Sequence, residues 1–371
     1  MDQRGGTSVT GRKTAAAPGW EAGYRAGWSE GFRLGRCASI VRQTGYEPPA
    51  MEVSVLYVQS GLWSYDPLDQ GIIAALRRLV RDVHVAVPGD DVAGLAAAVR
   101  PDLVLALNSV ECLGVGQVDA IRAMGIRTAV WFTDDPYYSN VTGGIAVHYD
   151  YVFTLEEACV AFYRERGCSR VHHLPFGANT AYYAPRRANP KYASDICFIG
   201  SAFQGRAALF DRIAPYLRGK SVFIAGYWWD RMTNYAMLAD QIRLGTWISP
   251  EETALYYNSA KIVINLHRAI DDETKQNSLG IAARSVNPRS FEIGACAAFQ
   301  LTDTREQTAA AFVPDVEVAV YSSPEELIEK AEYYLSRDEE RREIALRGFS
   351  RTMREHTYPR RVRQLLDAVF A

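Results

Sequence analysis

The chain has 371 residues, 48% hydrophobic and 23% charged, which is enough apolar material for two or three packed domains and too much for a disordered chain. Lys and Arg number 41 against 43 Asp and Glu, so a net charge of −2 gives no overall pull toward nucleic acid or an anionic membrane. No apolar run reaches the ~20 residues of a membrane span, and the polar start lacks a secretory core. Six scattered cysteines (Cys37, Cys112, Cys159, Cys168, Cys197, Cys296) show no zinc or redox spacing, so reduced thiols in a cytoplasmic protein are expected.

Residues 1–50 should form a mobile start (1–19) followed by a helix. Gly23-Tyr24, Gly27-Trp28, Gly31-Phe32 and Gly35 repeat in steps of four, keeping glycines and aromatics each near one helix face. Four glycines weaken an isolated helix by roughly 1 kcal/mol each, so this helix needs a partner surface. That surface is either its own domain or a second copy, giving a homo-oligomer.

Residues 51–178 alternate apolar strands with helical stretches. VSVLYV (53–58), VHVAV (83–87), LVLAL (103–107), TAVWF (128–132), YVF (151–153) and 171–174 read as strands of a parallel sheet covered on both faces. Prolines and a lack of periodicity mark 179–192 as a linker. The alternation restarts over 193–354 with DICFIG (195–200), SVFIAG (221–226), KIVINL (261–266), AAFQLT (297–302) and VAVY (318–321). Helices are expected at 204–218, 250–260, 288–296, 324–336 and 338–354, and residues 355–371 end in an amphipathic helix. The fold class is therefore α/β: two Rossmann-like, doubly wound domains facing across a cleft, with an N-terminal helical extension. Glycosyl transfer, sugar-nucleotide epimerisation and simple ligand capture all use such a plan.

The segment NPRSFEIGACAAF (287–299) is the most informative. Pro288 suits a helix start, whose free amides and Arg289 would hold a diphosphate, while Glu292 could accept bonds from sugar hydroxyls. A plain dipole-complementing Glu292 paired with Arg289 reads equally well. RSFEIGACAAFQLTD resembles the R-x-F-E-x-x-A-C-G-A-x-x-L-T-D signature of group 1-type glycosyltransferases, and more narrowly the spore maturation protein CgeB family of spore-forming bacteria. WFTDDP (131–136), FIGS (198–201) with Arg206, and YYNSAKIVINLH (256–267) match as well, and the Gly-aromatic repeat recurs in that family.

The resemblance implies a GT-B fold, a nucleotide-diphosphate sugar of UDP or TDP type held by the C-terminal domain, no cofactor and no obligatory metal. It also implies a final helix returning to the N-terminal domain. Two departures stand out. Arg284 occupies the place of the first acid of the related Glu-x7-Glu pattern, leaving the donor sugar and stereochemistry open. Ala297 replaces the usual glycine of A-C-G-A, a change that packing should absorb.

The donor set then reads Gly200, Ser201, Arg206, Trp247, Ile248, Asn265, His267, Asn287, Arg289, Ser290, Phe291 and Glu292. Trp247 and Ile248 are placed at the nucleobase and the loop 269–287 should close over the donor. Trp247 reads equally as core and His267 as a structural histidine. On the acceptor side, Gly61, Trp63, Tyr65 and Asn108 follow strand ends, and sugars stack on Trp and Tyr rings. Asp134 is the first base candidate and Asp66 the second, with Asp135 as a helix cap. The expected activity is transfer of a sugar to a carbohydrate or protein acceptor, in spore-surface glycosylation. The alternatives are an epimerase of the same fold and a non-catalytic spore-coat scaffold.

Overall fold

The computed structural model describes residues 18–270, 272 and 275–371. Most of the expected mobile start, and three positions of the 269–287 loop, lie outside the described residues.

Helix α1 (Pro18–Gln43) is continuous through its glycines. Its second half is anchored: Cys37 packs with Ala297, Leu346 and Phe349, and Arg33 donates to the Arg186 carbonyl. Its first half holds Trp20, Tyr24 and Trp28 in solvent.

The first lobe runs β1 (Met51–Val58), α2 (Asp66–Leu79), β2 (Val80–Ala86), α3 (Val92–Val99), β3 (Leu103–Leu107), α4 (Val115–Ala123), β4 (Arg127–Phe132), α5 (Ser139–Ala146), β5 (Tyr151–Thr154), α6 (Cys159–Glu165) and β6 (Val171–His173). Its strands pair in parallel in the order β2-β1-β3-β4-β5-β6. Alternate residues feed two cores, which is why these strands read as unbroken apolar runs. Val55 and Tyr57 pack with α2, whereas Leu56 and Val58 pack with Val92 of α3 and Val118 of α4.

The second lobe runs β7 (Ser194–Ile199), α7 (Gln204–Leu217), β8 (Val222–Gly226), β9 (Ile242–Leu244), α8 (Pro250–Ser259), β10 (Ala260–Asn265), α9 (Arg289–Ala295), β11 (Gln300–Asp303), α10 (Thr308–Ala311), β12 (Ala319–Tyr321), α11 (Pro324–Leu335) and α12 (Asp338–Glu355). Its sheet, also parallel, is ordered β12-β11-β10-β7-β8-β9. The doubly wound class holds for both lobes. β9 escaped the sequence reading because only Ile242 of its three residues is buried. The expected strand at 297–302 starts three residues late, because Ala297 turns the chain with φ 51°.

Strand order reverses between β1 and β3 in one sheet and between β7 and β10 in the other, which is where open α/β sheets bind ligands. Finally α13 (Tyr358–Phe370) lies on α2 of the first lobe. Gly71 and Gly177 permit this return: a Cβ on Gly71 would meet the Tyr358 ring at 2.5 Å, and one on Gly177 the Thr357 carbonyl carbon at 2.6 Å. All six cysteines are buried and unbridged. No helix among the described residues is long and apolar enough to cross a membrane.

Candidate functional site

A crevice of about 740 Å³ opens between the lobes. Trp63, Tyr65 and Leu68 line it from the first lobe; Gly200, Ser201, Arg206, Trp228, Trp247, Arg289 and Glu292 line it from the second. Its floor is the end of β7. A Cβ on Gly200 would stand 2.9 Å from Arg289 Nη2 and 3.3 Å from Arg206 Nη1, so two guanidiniums rest against bare backbone. Gly226, at the end of β8, lies so close that a Cβ there would sit 2.3 Å from the Gly200 carbonyl oxygen.

Both arginines are held by neutral acceptors. Arg206 Nη1 donates to the Ser201 carbonyl at 3.0 Å, and its Nε has no partner among the described residues. Burial, then the charge of Arg289, lowers its pKa to about 9. Arg289 Nη1 donates to the amide oxygen of Asn265 at 3.4 Å. A mutually repelling pair of cations, Arg206 buried and Arg289 half-buried, is a site prepared for an anion.

Several expected donor contacts are instead the frame behind this pair. Asn265 is fully buried at the end of β10, donating to Ser290 Oγ at 2.9 Å and to Asn287 Oδ1 at 3.1 Å. Ser290 is equally buried, and Asn287 alone of the three reaches the crevice wall. Phe291 faces away into the core against Phe312 and His356, as its apolar ring requires. Three of the amides expected to be free at the start of α9 are already engaged. Ser290 N donates to Asn287 Oδ1, and the amides of Phe291 and Glu292 donate to the Pro288 carbonyl. The full positive charges here are the guanidiniums of Arg206 and Arg289. His267 lies beneath the wall rather than on it: its Nδ1–H donates to Asp303 at 2.5 Å, and burial, opposed by Asp303, lowers its pKa.

Glu292 does line the crevice. Burial raises its pKa to about 7 against the opposing pull of Arg289 and the Tyr183 hydroxyl. Trp247 is 43% exposed, hence not core, and meets Trp63 of the other lobe edge-on at 5.4 Å. Ile248, beside it, is buried and lines the same wall.

Asp134 follows β4 and lines a side pocket of about 310 Å³ with Asn108, Glu111, Phe203, Trp228 and Arg268. It accepts from Thr133 Oγ1 at 2.9 Å and from the Tyr65 hydroxyl. Asn108 is buried with φ 63° and donates to Glu111 at 3.4 Å. Three expectations fail here. Asp66 is exposed in the first turn of α2, accepts from Gln70, and is off the crevice wall. Gly61, with φ 74°, packs against Pro88 and serves the turn rather than an acceptor. Asp135 caps no helix: its buried carboxylate accepts from Thr142, Thr154 and Tyr163, and burial raises it to about 6.

Among its described residues, the 269–287 loop reaches the crevice wall only at Asn287. Gln276 N donates to the Tyr137 carbonyl, and Asn140 N donates back to the Gln276 carbonyl, tying the loop to the first lobe. Sequence reasoning missed Phe203, Tyr227 and Trp228, which line the crevice after β7 and β8. The signal was there, since GYWW follows a strand end just as FIGS does.

Residues 206–367 match a family described as glycosyl transferase-like. Spore protein CgeB of Bacillus subtilis (strain 168) is 29% identical over 239 residues, covering 64% of this chain and 74% of that protein. Among solved structures, Anabaena HepE in complex with UDP-glucose superposes with a TM-score of 0.58 at 11% identity, covering 85% of this chain and 99% of that one. Sucrose-phosphate synthase from Thermosynechococcus elongatus gives 0.60 at 10% identity, covering 85% and 98%. With its signature segment folded onto the crevice wall, the chain is similar to the CgeB-like glycosyltransferases and has the two-lobed α/β fold of the GT-B enzymes.

Proposed function

We propose that the crevice takes a nucleotide-diphosphate sugar of UDP or TDP type and that the first lobe receives a carbohydrate or protein acceptor. The observation that carries this reading is the Arg206–Arg289 pair pressed on Gly200, two cations side by side on the crevice wall, the charge that a diphosphate calls for. HepE, of the same fold, was solved with UDP-glucose, which supports the donor class. Trp247 offers a ring for the base, and Glu292 an acceptor for ribose or sugar hydroxyls. Asp134 lies where an acceptor hydroxyl would enter. The acceptor oxygen bonds to the anomeric carbon as the bond from that carbon to the diphosphate oxygen breaks. The acceptor proton passes to Asp134, and the new charge on the leaving diphosphate falls to the two guanidiniums. In this reading they fill the role a metal ion has in other transferases. The name of the Bacillus relative extends the reading to a spore-surface acceptor.

Calorimetric titration with UDP, TDP and GDP tests the seat, and Arg289→Ala tests its use. Turnover should fall about 10²–10³-fold in that variant with its circular dichroism unchanged. Transfer at near the parental rate would remove Arg289 from the mechanism. A scaffold would give no heat with any of the three nucleotides. An epimerised nucleotide sugar formed without acceptor would replace transfer by epimerisation.

A further inference from the structure

A second cavity of about 680 Å³ lies between the lobes and shares no lining residue with the crevice. Its walls include His172, His173 and Leu174 from the first lobe, Ser285 and Gln307 from the second, and the first turns of α13. Four arginines line it (Arg354, Arg360, Arg361, Arg363) against two carboxylates, Glu355 and Asp367. Both carboxylates are already engaged, Glu355 by Arg351 at 3.1 Å and Asp367 by Arg363 at 2.7 Å.

Arg361 is the telling residue. It is only 7% exposed, yet it pairs with no carboxylate among the described residues. Its Nη2 donates to His356 Nδ1 at 2.6 Å and its Nη1 to the Gln364 amide oxygen at 3.1 Å, while its Nε has no partner among the described residues. A guanidinium taken out of water without a counter-ion is an expensive arrangement. The neighbours report the same uncompensated charge. His356 is locked neutral, its Nε2–H donating to the Ala311 carbonyl, and burial with Arg361 pushes its pKa down to about 3. Arg361 itself is lowered to about 10 by burial, against the weaker pull of Glu355, which makes no ion pair with it. The first turn of α13 adds to the field: it holds no acid, and Thr357 makes no side-chain cap.

We propose that this cavity binds a phosphate-bearing small molecule, with Arg361 at its centre and the exposed Arg354 at its edge. The excess of two positive charges matches the charge of about −1.5 to −2 that a phosphate monoester carries at neutral pH. Arginine forks suit phosphate oxygens, and the volume is that of a small-metabolite site.

The test is calorimetric titration of the full chain with inorganic phosphate at fixed ionic strength. Saturable binding is expected in the parent and in Arg289→Ala, whose crevice is disabled. Arg361→Met should weaken it about tenfold or more, with the fold checked by its melting curve. Arg354→Glu, an exposed reversal of charge, should weaken it as well and keeps the test valid if Arg361→Met does not fold. A hexose monophosphate that binds more tightly than phosphate identifies an organic ligand, and equal binding identifies the free ion. No saturable binding in the parent, loss of binding in Arg289→Ala, or undiminished binding in Arg354→Glu overturns the proposal.

Discussion

Glu292 combines a chemical and a thermodynamic consequence. Its ordinary value is 4.5 and burial raises it to about 7. Between those values the folded chain keeps a proton that the unfolded chain has lost, so this group's contribution to stability is full below pH 4.5 and shrinks as pH rises through 7. Asp135, raised to about 6, acts in the same direction. Glu292→Gln, neutral at every pH, should therefore be more stable than the parent by about 1–2 kcal/mol at pH 8 and no different near pH 4.5. Urea titrations at the two pH values read this directly; an equal gain at both would refute the burial argument. Asp134→Asn tests the proton acceptor. Turnover should fall by about 10²–10⁴ while UDP still binds, and a retained rate would move the role elsewhere. The second-lobe wall of the crevice was partly legible at this scale, since Asn287, Arg289 and Glu292 stand close together in sequence. Ala297 shows the limit. Its replacement of glycine was visible, but its φ of 51° was not. The cost, about 1–2 kcal/mol of left-handed backbone, is offset in part by burying its methyl against Cys37 and Phe349.

Strands with both faces buried announced themselves, and the elements that shape the site did not. α9 has only seven residues, and its polar frame depends on Asn265, which is distant in sequence. The 276–281 tether was unreadable for a different reason: two of its bonds to Tyr137 and Asn140 are backbone hydrogen bonds, which any side chains permit, and the Asn140 amide oxygen that accepts from Ser278 N and Oγ lies 138 residues away in sequence. The return of α13 depends on close approach. Gly177→Ala would place a methyl 2.6 Å from the backbone of Thr357, where no side chain can yield. A loss of about 1–3 kcal/mol is expected in urea unfolding, and a loss under 0.5 kcal/mol would show that the crossing can shift.

The molecule as a whole is closed by its own ends. α1, at the start of the chain, seats Cys37 against α12 of the second lobe, and α13, at the end, seats Val362 and Leu365 in the core of the first. The linker residues Arg187 and Lys191 between them are exposed. A protease that cuts there severs the polypeptide without freeing either piece, because each fragment carries a helix lodged in the other. Nicked protein should elute from a sizing column as one particle and separate only in denaturant. Fragments that parted in plain buffer would mean that the two clasps are too weak to matter. The lobes are thus fastened by more than the linker that joins them, like a box whose two latches are threaded through opposite lids.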